Sequence, residues 1–287
     1  ALLMVVCAVS PHAAGTDSTR SLTCAPALLR IRGGKASALG QRLQNLGFMM
    51  RKDPEGYVPE IENTFKKWGQ HRGLWESTPY GVHKEFGELS VFLAQNQVMF
   101  PLVLHEYPGL LTELVRGNHT SMHADLRMKM CEAIAIATAR KSIPVTDMCS
   151  IFFKMFHIPE KKLRHYLYAS SVNAIKRLNA NSVDQVANRA LQRTLAAFLH
   201  GPDARSGKVA ITMMVELYKR RMWDDTHAVN TIGAACFSRL VTVRNAAIKF
   251  FLGVDLEPDG EDEEESDDFG IKTTEARMCQ LPKFLSR

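Results

Sequence analysis

The chain has 287 residues and is 46% hydrophobic, enough apolar side chain for a substantial core and too much for a disordered polymer. Its net charge of +6 hides a division: residues 1–254 carry 32 Lys and Arg against 19 Asp and Glu, residues 255–268 carry ten acids and no base, and the last 19 residues add +3. Six scattered cysteines, none in C-x-x-C spacing, exclude a disulfide scaffold at this length and leave Cys131, Cys149 and Cys236 as expected buried thiols.

The first segment, "ALLMVVCAVSPHAAG", has an apolar run far too short to span a membrane. Residues 1–42 are expected to be an extension outside the fold, either a presequence or a mis-assigned gene start. From residue 53 the pattern turns helical. Asp53 and Pro54 read as a helix start, and Val58, Ile61, Phe65 and Trp68 follow on one face. "HRGLWESTPYG" reads as an irregular turn. A second helix is expected from about His83 to Asn96, a short one after Pro108, and another from about Ala124 to Arg140. Thr146 is expected to cap a helix through Phe156. Pro159 opens the next, to about Leu178, and Ser182 caps a third, to Leu199. Asp203 starts a fourth, to Arg221, and Asp224 or Asp225 a fifth. The last helix ends at Leu252, with Gly253 as its left-handed stop.

Three helix pairs thus begin near 146, 182 and 225, the period of helical-hairpin repeats. One such pair cannot bury its apolar face alone and must stack on its neighbours. The expected fold is all-α, a right-handed α-solenoid of HEAT/armadillo-like hairpins over 43–253, with a globular helical bundle as the alternative. Residues 254–268 hold Asp255, Glu261, Asp262, Glu263, Glu264, Glu265, Asp267 and Asp268 and are expected to be a disordered acidic segment. Residues 269–287 form a separate tail.

Little in the sequence points to catalysis. His119, His123 and Asp125 lack the arrangement of a zinc site. "RIRGG" and "HRG" are not phosphate loops, and Ser238, expected in mid-helix, has no glycine elbow. No catalytic residue, metal, cofactor or small-molecule substrate is expected, nor any membrane. The basic groups are more informative. Lys161, Lys162, Arg164 and His165 share one segment, Lys176 and Arg177 lie near the end of that helix, Lys219, Arg220 and Arg221 end another, and Arg239, Arg244 and Lys249 belong to the last pair. If equivalent helices align, such groups form a stripe for a polyanion, docked through Lys161, Lys162, Arg164, Lys219, Arg220 and Arg221; otherwise they stabilise helix ends and aid solubility. Leu217, Trp223, Phe237 and Phe250 are expected to pack, as are Phe152, Phe153, Phe156 and Phe251.

Five stretches share a further likeness: "RKDPEGY" (51–57), "ELSVFLAQ" (88–95), "MHADLRMKMCEAI" (122–134), "VELYKRRMWDDTHAVNTIGAACFSRL" (215–240), and "IKFFLG" (248–253) before an acidic run. Together, over about residues 43–268, they resemble the N-terminal part of the SDA1 family. The resemblance implies a helical-repeat protein of nucleus and nucleolus. Its members associate with large (60S) pre-ribosomal particles, in company with ribosomal RNA, ribosomal proteins and other assembly factors, and support their maturation and export. It also implies an alternative, a protein-binding solenoid acting in transport or in actin cytoskeleton organisation. Both ends of this chain depart from the family pattern.

Overall fold

The structure is a computed structural model, and it describes residues 38–180 and 182–254. Eleven α-helices and no strand occur among them. They are α1 (Ala38–Lys52), α2 (Val58–Ser77), α3 (Lys84–Asn96), α4 (Tyr107–Asn118), α5 (Ala124–Ala139), α6 (Val145–Lys154), α7 (Lys161–Leu178), α8 (Gln185–Leu199), α9 (Ala204–Lys219), α10 (Thr226–Ala235) and α11 (Val241–Phe251). The acidic segment from Asp255 to Asp268 lies outside the described residues, as does the chain before 38.

Local chemistry sets many of the boundaries. Asp184, Asp203 and Asp225 each precede a helix in extended backbone and accept from its first free N–H groups. Asp53 accepts from Gly56 N at 3.1 Å and closes a short 3-10 turn, Glu55–Tyr57, ahead of α2. Gly253 takes φ +69 after α11, and its N–H and that of Val254 bond back to Phe250 O and Lys249 O. Two expected caps are displaced. Pro144, not Thr146, precedes α6, because proline suits the entry to a helix that needs no donor there. Asp184 rather than Ser182 caps α8, its carboxylate reaching Ala187 N at 3.0 Å.

The stretch expected as an irregular turn is also corrected. Helix α2 runs on through His71 to Ser77, and its last turns bury Trp75 at 2% exposure beneath a bond from its indole N–H to Pro79 O. Gly73 in that stretch suggests a break, yet burying one indole outweighs its unfavourable helix propensity.

The helices stack as hairpins in two layers, a HEAT/armadillo-like solenoid. Helices α4, α6, α8 and α10 adjoin in sequence along one layer, and α3, α5, α7, α9 and α11 along the other. Hairpins α6/α7, α8/α9 and α10/α11 start at 145, 185 and 226, steps of 40 and 41 residues. The core runs continuously between the layers, through Leu93, Ile134, Phe152, Leu167, Leu195, Ile211 and Leu217. At its N-terminal end a polar bolt joins α2, α3 and α4. The Trp68 indole donates to Ser90 Oγ at 2.8 Å, and the Tyr107 hydroxyl donates to Ser90 O at 2.6 Å. Burial pushes the Tyr107 phenol far above its ordinary pKa, so it stays a donor.

Candidate functional site

The direction of the second-layer helices decides where the basic residues lie. Arg127, near the start of α5, pairs with Glu160 just before α7. Asp203, at the start of α9, lies near His157, just before α7. At the other end, Asn179 exchanges amide bonds with Asn188 at 2.7 and 3.1 Å, and Asn188 Oδ1 accepts from the Trp223 indole at 3.0 Å. The ends of α7 and α9 therefore meet. Tyr218 of α9 meets Phe250 of α11 edge to face at 5.2 Å. Helices α5, α7, α9 and α11 thus run parallel, as equivalent members of successive hairpins.

It follows that the six expected docking cations do not form one stripe. Lys161, Lys162 and Arg164 sit in the first turn of α7. Lys219, Arg220 and Arg221 sit at the last turn and cap of α9. Helix α7 has 18 residues and is about 27 Å long, so the two groups occupy opposite edges of the layer. Arg164 also donates to Ile158 O at 3.0 Å, and Arg220 pairs with Glu216. The edge with Lys219 to Arg221 keeps Lys176 and Arg177, in the last turn of α7, and gains the exposed Arg140 and Lys141 after α5.

The packing residues divide too. Leu217 is fully buried and Trp223 is 1% exposed. Phe250 is half-buried, against Tyr218. Phe237, expected in the core, is 90% exposed. Helix α10 stops at Ala235, and the Phe237 N–H bonds to Ala234 O in the turn that follows, so the helical register no longer aims its side chain inward. Phe251 is likewise 52% exposed, its ring edge to face on Phe250 at 5.0 Å. Ser238 is not in mid-helix. It is buried between α10 and α11, where its hydroxyl donates to Leu199 O at 3.0 Å and accepts from Leu240 N at 3.2 Å.

His119 and His123 serve the fold. His123 caps α5 and accepts from Asp125 N at 3.3 Å. His119 stacks edge to face on His157 at 6.1 Å, and burial holds its pKa below the ordinary value. No group of three or more His, Cys, Asp or Glu able to hold a metal occurs among the described residues. Burial pushes the Cys131 and Cys149 thiols up to about 12, so neither is a ready nucleophile. No helix among these residues is long and apolar enough to cross a membrane.

One residue that sequence reasoning passed over holds three elements together. Arg127 is 7% exposed; its guanidinium donates to His119 O and Met122 O, both at 2.6 Å, and to the Glu160 carboxylate. Its only sequence signal is an arginine on the apolar side of a helix. A shallow groove of about 470 Å³ lies between α2 and α4, lined by Phe65, Trp68, Arg72, Glu76 and Leu110 beside the bare backbone of Gly69 and Gly73.

Comparison with known proteins adds what the geometry lacks. The family model described as "SDA1, HEAT repeat" matches residues 92–283. A protein of Xenopus tropicalis named "Protein SDA1 homolog" is 32% identical over 227 residues, 79% of this chain and 33% of the relative. Its namesake in Dictyostelium discoideum is 30% identical over 227 residues, 79% of this chain and 30% of the relative. The namesake in Nematostella vectensis is 30% identical over 240 residues, 82% and 35% respectively. The chain spans about one third of the length of the curated relatives it matches.

Proposed function

The chain belongs to the SDA1 family, and from that premise we propose that it is a non-catalytic scaffold that docks on large pre-ribosomal particles in the nucleus and nucleolus and supports their maturation and export. The observation that carries the reading is the family match across the helical array. Two features support it. A stacked-hairpin array offers long parallel edges rather than a reaction pocket. Its residues up to 254 are strongly basic, which suits a ribonucleoprotein surface. Affinity purification of the tagged chain tests the reading: late nuclear precursors of large-subunit RNA are the expected companions. Recovery of mature cytosolic ribosomes alone, or of no RNA, would overturn it.

The groove between α2 and α4 favours a second reading, a protein-binding solenoid serving as a transport adaptor or in actin organisation. Its floor is aromatic and its glycines admit a close backbone approach. Salt separates the two. Phosphate-dominated docking weakens steeply as ionic strength rises, whereas apolar groove binding does not.

A further inference from the structure

Two cations hold a backbone conformation that their side chains disfavour. Lys141 has φ 64 and Arg221 has φ 58, and no other non-glycine among the described residues has positive φ. Each occupies the same place at the end of a second-layer helix. After α5, Lys141 N bonds to Thr138 O and Ser142 N to Ala137 O; after α9, Arg221 N bonds to Tyr218 O and Met222 N to Leu217 O. This double bond pattern usually recruits glycine at the left-handed position, because a Cβ there is strained. After α11 the same position is Gly253, at φ +69. The helix dipole does not require a charge at this residue, since Arg140 and Arg220 already stand at the caps of the two helices. Strain kept at equivalent positions of one edge, and each time on a cation, calls for a reason outside the fold.

We propose that the edge formed by the C-terminal ends of α5, α7 and α9 is a rail for the phosphate backbone of an RNA strand, held by Arg140, Lys141, Lys176, Arg177, Arg220 and Arg221. The inference rests on the ribonucleoprotein reading above and gives it a surface. Neighbouring helices pack about 8–10 Å apart, so three successive helix ends set out cations across a span of several phosphates. Nearby acids oppose this in part: Glu216 pairs with Arg220 and offsets its charge, Asp184 and Asp225 cap α8 and α10 as charged carboxylates, and Asp147 and Asp224 are exposed, so Arg140, Lys141, Lys176, Arg177 and Arg221 carry most of the attraction. The aromatics at this edge are engaged within the fold: Trp223 is 1% exposed and bonded to Asn188, and Tyr218, in the last turn of α9, is half-buried edge to face against Phe250. Contact through phosphates, without base recognition, is what remains.

The test is the full chain carrying both Lys141→Gly and Arg221→Gly, with a fluorescent single-stranded oligoribonucleotide of mixed sequence as probe. Glycine relieves the strain while removing two charges, so fold and binding move in opposite directions. The melting temperature is expected to hold or rise. Affinity is expected to fall about 3- to 10-fold, and the slope of log affinity against log salt to flatten by about 0.7 per charge. A matched pair, Lys161→Ala with Lys162→Ala on the opposite edge, is expected to leave that slope nearly unchanged. Unchanged affinity and slope in the glycine pair would overturn the rail, as would an equal loss in the matched pair. A fall in melting temperature would show that the cations serve the fold, and preference for an acidic peptide over RNA would show a protein occupant; either result overturns it. Recovery of precursor RNA with the unaltered chain from cells would leave the scaffold reading standing whichever way the rail is decided.

Discussion

Replacing Arg127 by methionine isolates the contribution of the buried ion pair. Methionine keeps most of the aliphatic volume, so the cavity contribution is small. What disappears is the guanidinium, with bonds to His119 O and Met122 O at 2.6 Å and its contact with Glu160. Breaking a buried pair by removing one partner costs about 3–5 kcal/mol. The Arg127 side chain is 8% exposed but that of Glu160 is 32%, so water can recover part of the stranded carboxylate. The two carbonyls lose donors for which the methionine sulfur offers no substitute. The lower part of the range, about 3 kcal/mol, is therefore expected. For an array of this size that lowers the melting temperature by about 6–12 °C. Thermal melts followed by far-UV circular dichroism are the assay. Glu160→Gln should cost less, because Arg127 keeps both carbonyls, and the double variant should cost less than the sum of the two. A melt of Arg127→Met within about 1 °C of the parent would refute the view that this residue pins the α4–α5 loop to the entry of α7.

Leu217→Asp and Phe237→Asp should part company. The first buries an unpaired carboxylate at a fully buried site and is expected to cost about 5 kcal/mol and unfold the C-terminal hairpins, whereas the second, 90% exposed, should shift the melt by less than about 2 °C. Two glycine substitutions should also diverge in urea titrations. Gly73→Ala meets open space and is expected to stabilise by up to about 1 kcal/mol, while at Gly207 a Cβ would come within 2.8 Å of Val243 Cγ2 and force α9 from α11, so Gly207→Ala should destabilise. Partial burial pushes the Asp203 carboxyl up, but the Ser206 hydroxyl and the N–H groups of Ser206 and Arg205 outweigh it and hold its pKa below the ordinary value. Its folded pKa is depressed, so the stability it contributes is present above the ordinary carboxylate pKa of about 3.9 and is lost as pH falls through the lower folded value. Asp203→Ala should cost about 1 kcal/mol at neutral pH, and the gap between variant and parent should close in denaturant melts taken under strongly acid conditions.

The sequence by itself determined the all-α class, the place of most helices and the hairpin period. These follow from local rules: apolar spacing names a helix, Asp203 and Asp225 supply first-turn acceptors, and Gly253 admits the left-handed turn. It also singled out Leu217 and Trp223 as packing residues, since both lie in strongly apolar surroundings. What it left open concerns ends and directions. Phe237 fits an inward face only if α10 continues, and α10 stops two residues earlier. The run at 71–77 looks broken because the worth of burying Trp75 against α3 cannot be read from α2 alone. The pairing of Arg127 with Glu160 joins residues 33 apart, which only the stacking of α5 on α7 brings together. Most consequentially, two basic clusters that spacing placed in one stripe stand on opposite edges. A helix carries its first and last turns to opposite ends of its axis, and only the parallel stacking of α5, α7 and α9 decides which ends share an edge.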